Sequence, residues 1–127
     1  IQWINDSKGT NVGATIAALE GLDRPVILIA GGQAKTPDFS GLSTALSERA
    51  THLVVFGQDA TRIANSVDPS IGVTQVERLA QAVDVAAGEA HMGDVVLFSP
   101  ACASYDQFDN FEHRGEVFRQ LVEERHV

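Results

Sequence analysis

Three uninterrupted apolar runs constrain this chain more than any other feature. Pro25 to Ala30 reads Pro-Val-Ile-Leu-Ile-Ala and stops at Gly31-Gly32. His52 to Phe56 stops at Gly57, and Asp94 to Phe98 stops at Ser99-Pro100. A strand with one wet face alternates polar and apolar residues, whereas a strand covered on both faces does not. Short continuous runs rich in Val and Ile therefore predict parallel strands sandwiched between two layers. Ile71 to Val73 adds a short candidate strand, and Ile1 to Ile4 another, with Trp3-Ile4 at its end.

Helical patterns fill the intervals. Thr15 to Leu22 follows a cap region at Asn11, and Leu42 to Arg49 follows Asp38-Phe39-Ser40, with Ser40 as the expected cap. Ala60 to Val67 repeats Ile63 and Val67 at helical spacing, and Val76 to Ala90 sets Leu79, Val83 and Ala86 on one face. Phe111 to Val122 turns Phe111, Phe118, Leu121 and Val122 toward a core, and the spacing by three of Tyr105, Phe108 and Phe111 also reads as packing. Strand and helix alternate without repeats or linkers, the pattern of a doubly wound α/β domain. The expected architecture is one three-layer domain over residues 1–127, with a mostly parallel sheet of about six strands and helices on both faces.

Bulk properties narrow the function. The net charge of −8 and pI near 4.8 argue against binding a nucleic-acid backbone, which requires a basic face. No apolar run approaches the roughly 20 residues that cross a bilayer. The lone Cys102 has no internal partner and fits a reducing compartment. The start lacks a Met, a polar leader and a secretory pattern, so the chain is expected to be one domain of a longer protein.

The chemistry-bearing residues follow the strands. Asn5-Asp6-Ser7-Lys8-Gly9-Thr10-Asn11 puts a carboxylate, an ammonium and hydroxyls between a strand and a helix. Turns of this kind hold ligands at the carboxyl ends of open α/β sheets, and a helix start favours anions. Asp6, Lys8 and Thr10 alternate and can face one ligand; the competing reading is a solvated loop closed by local turn bonds. Gly31-Gly32-Gln33-Ala34-Lys35 is no known phosphate-loop pattern, but a lysine at a strand end holds a carboxylate or phosphate as a point charge. In Ser99 to Phe108, Cys102 lacks a neighbouring base and reads as a buried small residue. Ser104 is the stronger contact candidate, because its hydroxyl both donates and accepts. Arg114 is either an ion-pair partner or a residue that orients the serine loop. The histidines at 52, 91, 113 and 126 have no metal-ligand spacing.

These motifs together carry a resemblance. N-D-S-K-G-T-N before an Ala/Leu helix, then G-G-x-x-K, then S-P-A-C-A-S-Y-D-Q-F-x-N-F-E-x-R-G resembles the C-terminal domain of the Mur ligases over nearly all of the chain, and most of all the D-glutamate-adding members. Val12 departs from the wider family, where many members carry Pro to fix the helix start. The resemblance implies a Rossmann-like domain that binds the incoming amino acid, preceded by an N-terminal domain that holds the UDP-sugar and a central domain that carries the ATP phosphate loop. It implies that ATP, with Mg2+ held by the central domain, phosphorylates the carboxylate of UDP-N-acetylmuramoyl-alanine. The amine of D-glutamate then attacks the acyl phosphate in the bacterial cytoplasm, in peptidoglycan synthesis.

Position by position, the resemblance implies that Lys35 pairs with a D-glutamate carboxylate. Thr10, Ser104 and Phe111 line the same pocket, and Tyr105 donates through its backbone. Asp6 meets the ATP ribose, and Lys8 lies near the nucleotide and the reacting centre as the catalytic candidate. The chain has no G-x-x-x-x-G-K-[ST] loop and no cluster suited to a metal, so it is expected not to ligate alone. Two alternatives stay open: a stand-alone flavodoxin-like binding module, and a sister ligase such as a folate polyglutamate-adding enzyme.

Overall fold

The computed structural model describes residues 1–35 and 38–125. Along these, β1 (Gln2–Asn5), α1 (Val12–Glu20), β2 (Val26–Gly31), α2 (Leu42–Arg49) and β3 (Ala50–Phe56) are followed by α3 (Ala60–Ser66), β4 (Val73–Gln75), α4 (Leu79–Glu89), β5 (Val95–Phe98) and α5 (Phe111–Arg125). The strands form one sheet in the order β1-β5-β2-β3-β4, and every neighbouring pair is parallel.

The two-residue period of a strand sorts the apolar runs into two cores. Val26, Leu28, Leu53, Val55 and Leu97 face Leu19, Leu42, Leu46 and Ile63 of α1 to α3. Their sequence neighbours Ile27, Ile29, Val54, Val96 and Phe98 face Leu79, Val83 and Phe118 of α4 and α5. Right-handed crossovers explain this division. The chain steps from β1 to β2, β3 and β4 in one direction, laying three helices on one face. It then turns back to β5, laying α4 on the other. α5 joins α4 on that face, so the loops after β1 and β5 leave neighbouring strands toward opposite faces, as do those after β2 and β5. A crevice opens outside the carboxyl ends of such strands.

Several expectations need correction. Among the described residues the sheet has five strands, slightly fewer than the expected six or so. A sixth parallel strand needs another apolar run and a crossover of roughly a dozen residues or more, which the remaining segments do not supply. β4 lies two residues later than Ile71 to Val73, because Val73, Thr74 and Gln75 pair with Leu53, Val54 and Val55. α1 starts three residues earlier than Thr15, capped by the Asn11 Oδ1 that accepts from Ala14 N at 2.9 Å. Ser40 is not a cap. Its N–H donates to Asp38 Oδ1 at 2.8 Å, and the N-cap is instead Gly41, one residue before α2, whose φ of 85° suits glycine. Phe111 and Tyr105 are not core residues, at 41% and 68% exposed, whereas Phe108 packs half-buried against the second core. Phe111 opens α5 one turn before Gly115, which packs on Asn5 and Ser7, and lines an open depression with these residues rather than a core.

Candidate functional site

The loops after β1, β2 and β5 meet at the carboxyl edge of the sheet, because β5 inserts between β1 and β2. In the first loop, Asp6 Oδ2 accepts from Ser99 Oγ at 2.8 Å, and Gly9 O accepts from Ala101 N at 2.8 Å. Gly9 is required by close approach: a Cβ there would stand 2.6 Å from Ser99 Oγ and 2.8 Å from Asp6 Oδ2.

The loop after β2 is laced to the loop after β5. Gln33 N donates to Ala103 O at 2.9 Å, and Ala103 N returns a bond to Gln33 O at 2.8 Å. Gly32 permits this bridge with φ of 127°, where a Cβ would meet Ala103 O at 2.3 Å. Ala34 N donates to Asp59 Oδ2 at 2.7 Å, which fixes the segment leading to Lys35. Lys35 Nζ then reaches Thr10 Oγ1 at 3.2 Å. Residues 25 apart in sequence are thus in direct contact across two loops.

The loop after β5 turns sharply through Ala101, a non-glycine residue at φ 63°. It buries Ser104 to 2% exposure, one residue from the Gln33–Ala103 bridge. Ser104 O accepts from Phe108 N at 2.9 Å, and Asp106 Oδ2 accepts from Gln58 N at 2.9 Å, which ties in the loop after β3. Tyr105 and Phe111 stand exposed at this edge. Lys8 is exposed and lines an open depression of about 330 Å³ with Asn5, Ser7 and Phe111.

Beneath these loops lies Arg114, fully buried. Its Nε donates to Ser7 Oγ at 3.0 Å, its Nη2 to Ser7 O at 2.7 Å and its Nη1 to Cys102 O at 2.9 Å. Ser7 Oγ in turn donates to Phe111 O at 2.7 Å. Burial pulls the guanidinium down to about 10, so it stays charged at neutral pH. Burial pushes the Cys102 thiol up to about 12, which leaves it protonated and inert as a nucleophile near neutrality.

The structure therefore brings Thr10, Lys35 and Ser104 to one edge, with Asp6, Lys8, Tyr105 and Phe111 around them. It also brings in Ser7, Ser99 and Asp59, which the sequence reading did not single out. Their roles are non-local, and only the position of Ser7 beside Asp6 signals one of them. The edge offers two exposed ammonium groups, hydroxyls and two aromatic rings, a set suited to a small anionic ligand with more than one polar group. Among the described residues no three His, Cys, Asp or Glu side chains converge.

Comparison with known proteins places the chain in a family. A family model described as "Mur ligase, glutamate ligase domain" matches residues 1–102. The chain is 52% identical over 132 residues to a UDP-N-acetylmuramoylalanine--D-glutamate ligase of Idiomarina loihiensis, covering 100% of this chain and 27% of that protein. It is 51% identical over 126 residues to the same-named ligase of Chromohalobacter salexigens (96% and 28%), and 50% identical over 123 residues to that of Ralstonia nicotianae (96% and 25%). The chain spans about a quarter of the length of these relatives. It belongs to the Mur ligase, glutamate ligase domain family.

Proposed function

We propose that this chain is the C-terminal, amino-acid-binding domain of a longer cytoplasmic bacterial ligase. That enzyme joins D-glutamate to UDP-N-acetylmuramoyl-alanine with hydrolysis of ATP, in peptidoglycan synthesis. An N-terminal and a central domain complete it. In the reaction the substrate carboxylate takes a phosphoryl group from ATP, the D-glutamate amine attacks the acyl phosphate, and the intermediate collapses to amide and phosphate.

The observation that carries the reading is the 3.2 Å contact of Lys35 Nζ with Thr10 Oγ1, which joins the loops after β1 and β2 at the edge where the loop carrying Ser104 also lies. In this reading Lys35 pairs with a substrate carboxylate, since a lysine ammonium binds carboxylate by a charge-assisted hydrogen bond. Thr10, Ser104, Phe111 and the backbone of Tyr105 line the same pocket. Asp6, braced by Ser99 Oγ at 2.8 Å, accepts from the ribose hydroxyls of the nucleotide. Lys8, exposed on the same loop, neutralises charge at the reacting centre. In this reading magnesium is held mainly by the central domain.

The test is ADP release by the full-length enzyme. Release that requires both UDP-N-acetylmuramoyl-alanine and D-glutamate is the expected result. Turnover with a folate polyglutamate acceptor instead would reassign the substrate. The absence of any ligation would leave a small-molecule-binding module.

A further inference from the structure

Arg114 is the one fully buried charged side chain among the described residues, and none of its three hydrogen bonds goes to a carboxylate. A buried charge normally rests on a counter-ion. Here its partners are two carbonyls and a hydroxyl, backed by the face of Phe98 at 5.8 Å from the guanidinium carbon. Those partners come from two different loops. Ser7 lies between Asp6 and Lys8 in the loop after β1, and Cys102 lies two residues before Ser104 in the loop after β5. The same hydroxyl of Ser7 reaches the backbone of Phe111. One rigid fork therefore spans the residues assigned to the nucleotide and those assigned to the amino acid.

We propose that Arg114 is a positioning residue that sets the separation of these two loops, so that the nucleotide and the amino acid are held in a single frame. It touches neither substrate. The fork geometry is what matters, because a planar guanidinium directs its N–H groups at fixed angles, whereas a lysine ammonium is a point charge. The proposal rests on the functional reading above and adds a residue to which that reading gives no part.

The experiment compares Arg114→Lys with wild type in the full-length ligase, by steady-state kinetics at varied ATP and varied D-glutamate, with circular dichroism to confirm folding. Arg114→Lys keeps the charge and loses the fork. We expect KM for both substrates to rise together, each about tenfold. A purely structural role lowers the amount of active enzyme and leaves both KM values within twofold of wild type, which overturns the proposal. A rise in only one KM overturns it as well, since the frame then holds one loop alone. If Arg114→Lys does not fold, Ser7→Ala decides: it removes the Nε partner and the bond to Phe111 O, and it is expected to raise both KM values several-fold. Wild-type turnover separates the two ideas. No D-glutamate-dependent ADP release from wild type would sink the functional reading, whereas normal release with unchanged variants would sink only the role of Arg114.

Discussion

The two ends of the sheet use the same device for different purposes. At the amino end, Arg24 donates to Gly93 O at 2.8 Å, Gln2 Oε1 at 2.9 Å and Asp94 O at 3.3 Å, joining the segment before β2 to those that start β1 and β5. At the carboxyl end, Arg114 also makes three bonds to neighbouring loops. Arg24 is exposed and Arg114 is fully buried. Water replaces the bonds of an exposed arginine when it is removed, so its net worth is small. The acceptors around Arg114 have no such substitute, and each one stranded costs about 1–3 kcal/mol. Equal bond counts therefore hide unequal dependence, and the dependence concentrates beneath the loops of the candidate site.

Glycines sharpen the same contrast. Gly32 at the carboxyl end and Gly93 at the amino end both have positive φ, 127° and 92°. A Cβ on Gly32 meets Ala103 O at 2.3 Å, while a Cβ on Gly93 meets nothing within 4 Å. Gly32→Ala is expected to destabilise by roughly 3–5 kcal/mol, from conformational strain and the lost Gln33–Ala103 bridge together. Gly93→Ala carries the strain alone, about 1–2 kcal/mol. Denaturant unfolding of the two variants checks this, and equal losses would break the comparison.

The next effect in size is on binding. If Lys35 pairs with a substrate carboxylate as proposed, Lys35→Ala in the full-length enzyme removes that cation, at about 2–5 kcal/mol. KM for D-glutamate should rise at least about tenfold, since each 1.4 kcal/mol is a factor of ten, with little change for ATP. An unchanged KM for D-glutamate would return Lys35 to the class of solvated surface lysines, and a change confined to ATP would move it to the nucleotide. The smallest effect is at the opposite end. Arg24→Ala should cost less than about 1 kcal/mol and leave both KM values alone. A loss comparable with that of Gly32→Ala would erase the distinction between the two ends.

Much of the fold was legible because its causes are local. Continuous Val and Ile runs marked the strands, Asn11 marked the start of α1, and Leu79, Val83 and Ala86 marked the inward face of α4. One boundary slipped because a distant partner decides it: β4 takes its register from β3. Phe111 and Tyr105 show the same limit. Their spacing reads as core, but both lie exposed outside it.

The sequence by itself determined the alternation of strands and helices, the parallel sheet, and the identity of the polar residues that follow β1, β2 and β5. These depend on side-chain size, polarity and short-range capping, which act over a few residues. Only the tertiary structure decided that β5 lies between β1 and β2, and that choice lets Lys35 touch Thr10 and lets Gln33 pair with Ala103. It alone decided that Arg114 is buried beneath the loops. Strand order and burial are set by contacts between residues far apart in sequence, such as Arg114 with Ser7, 107 positions away, and no local pattern of polarity encodes which distant carbonyl a guanidinium will meet.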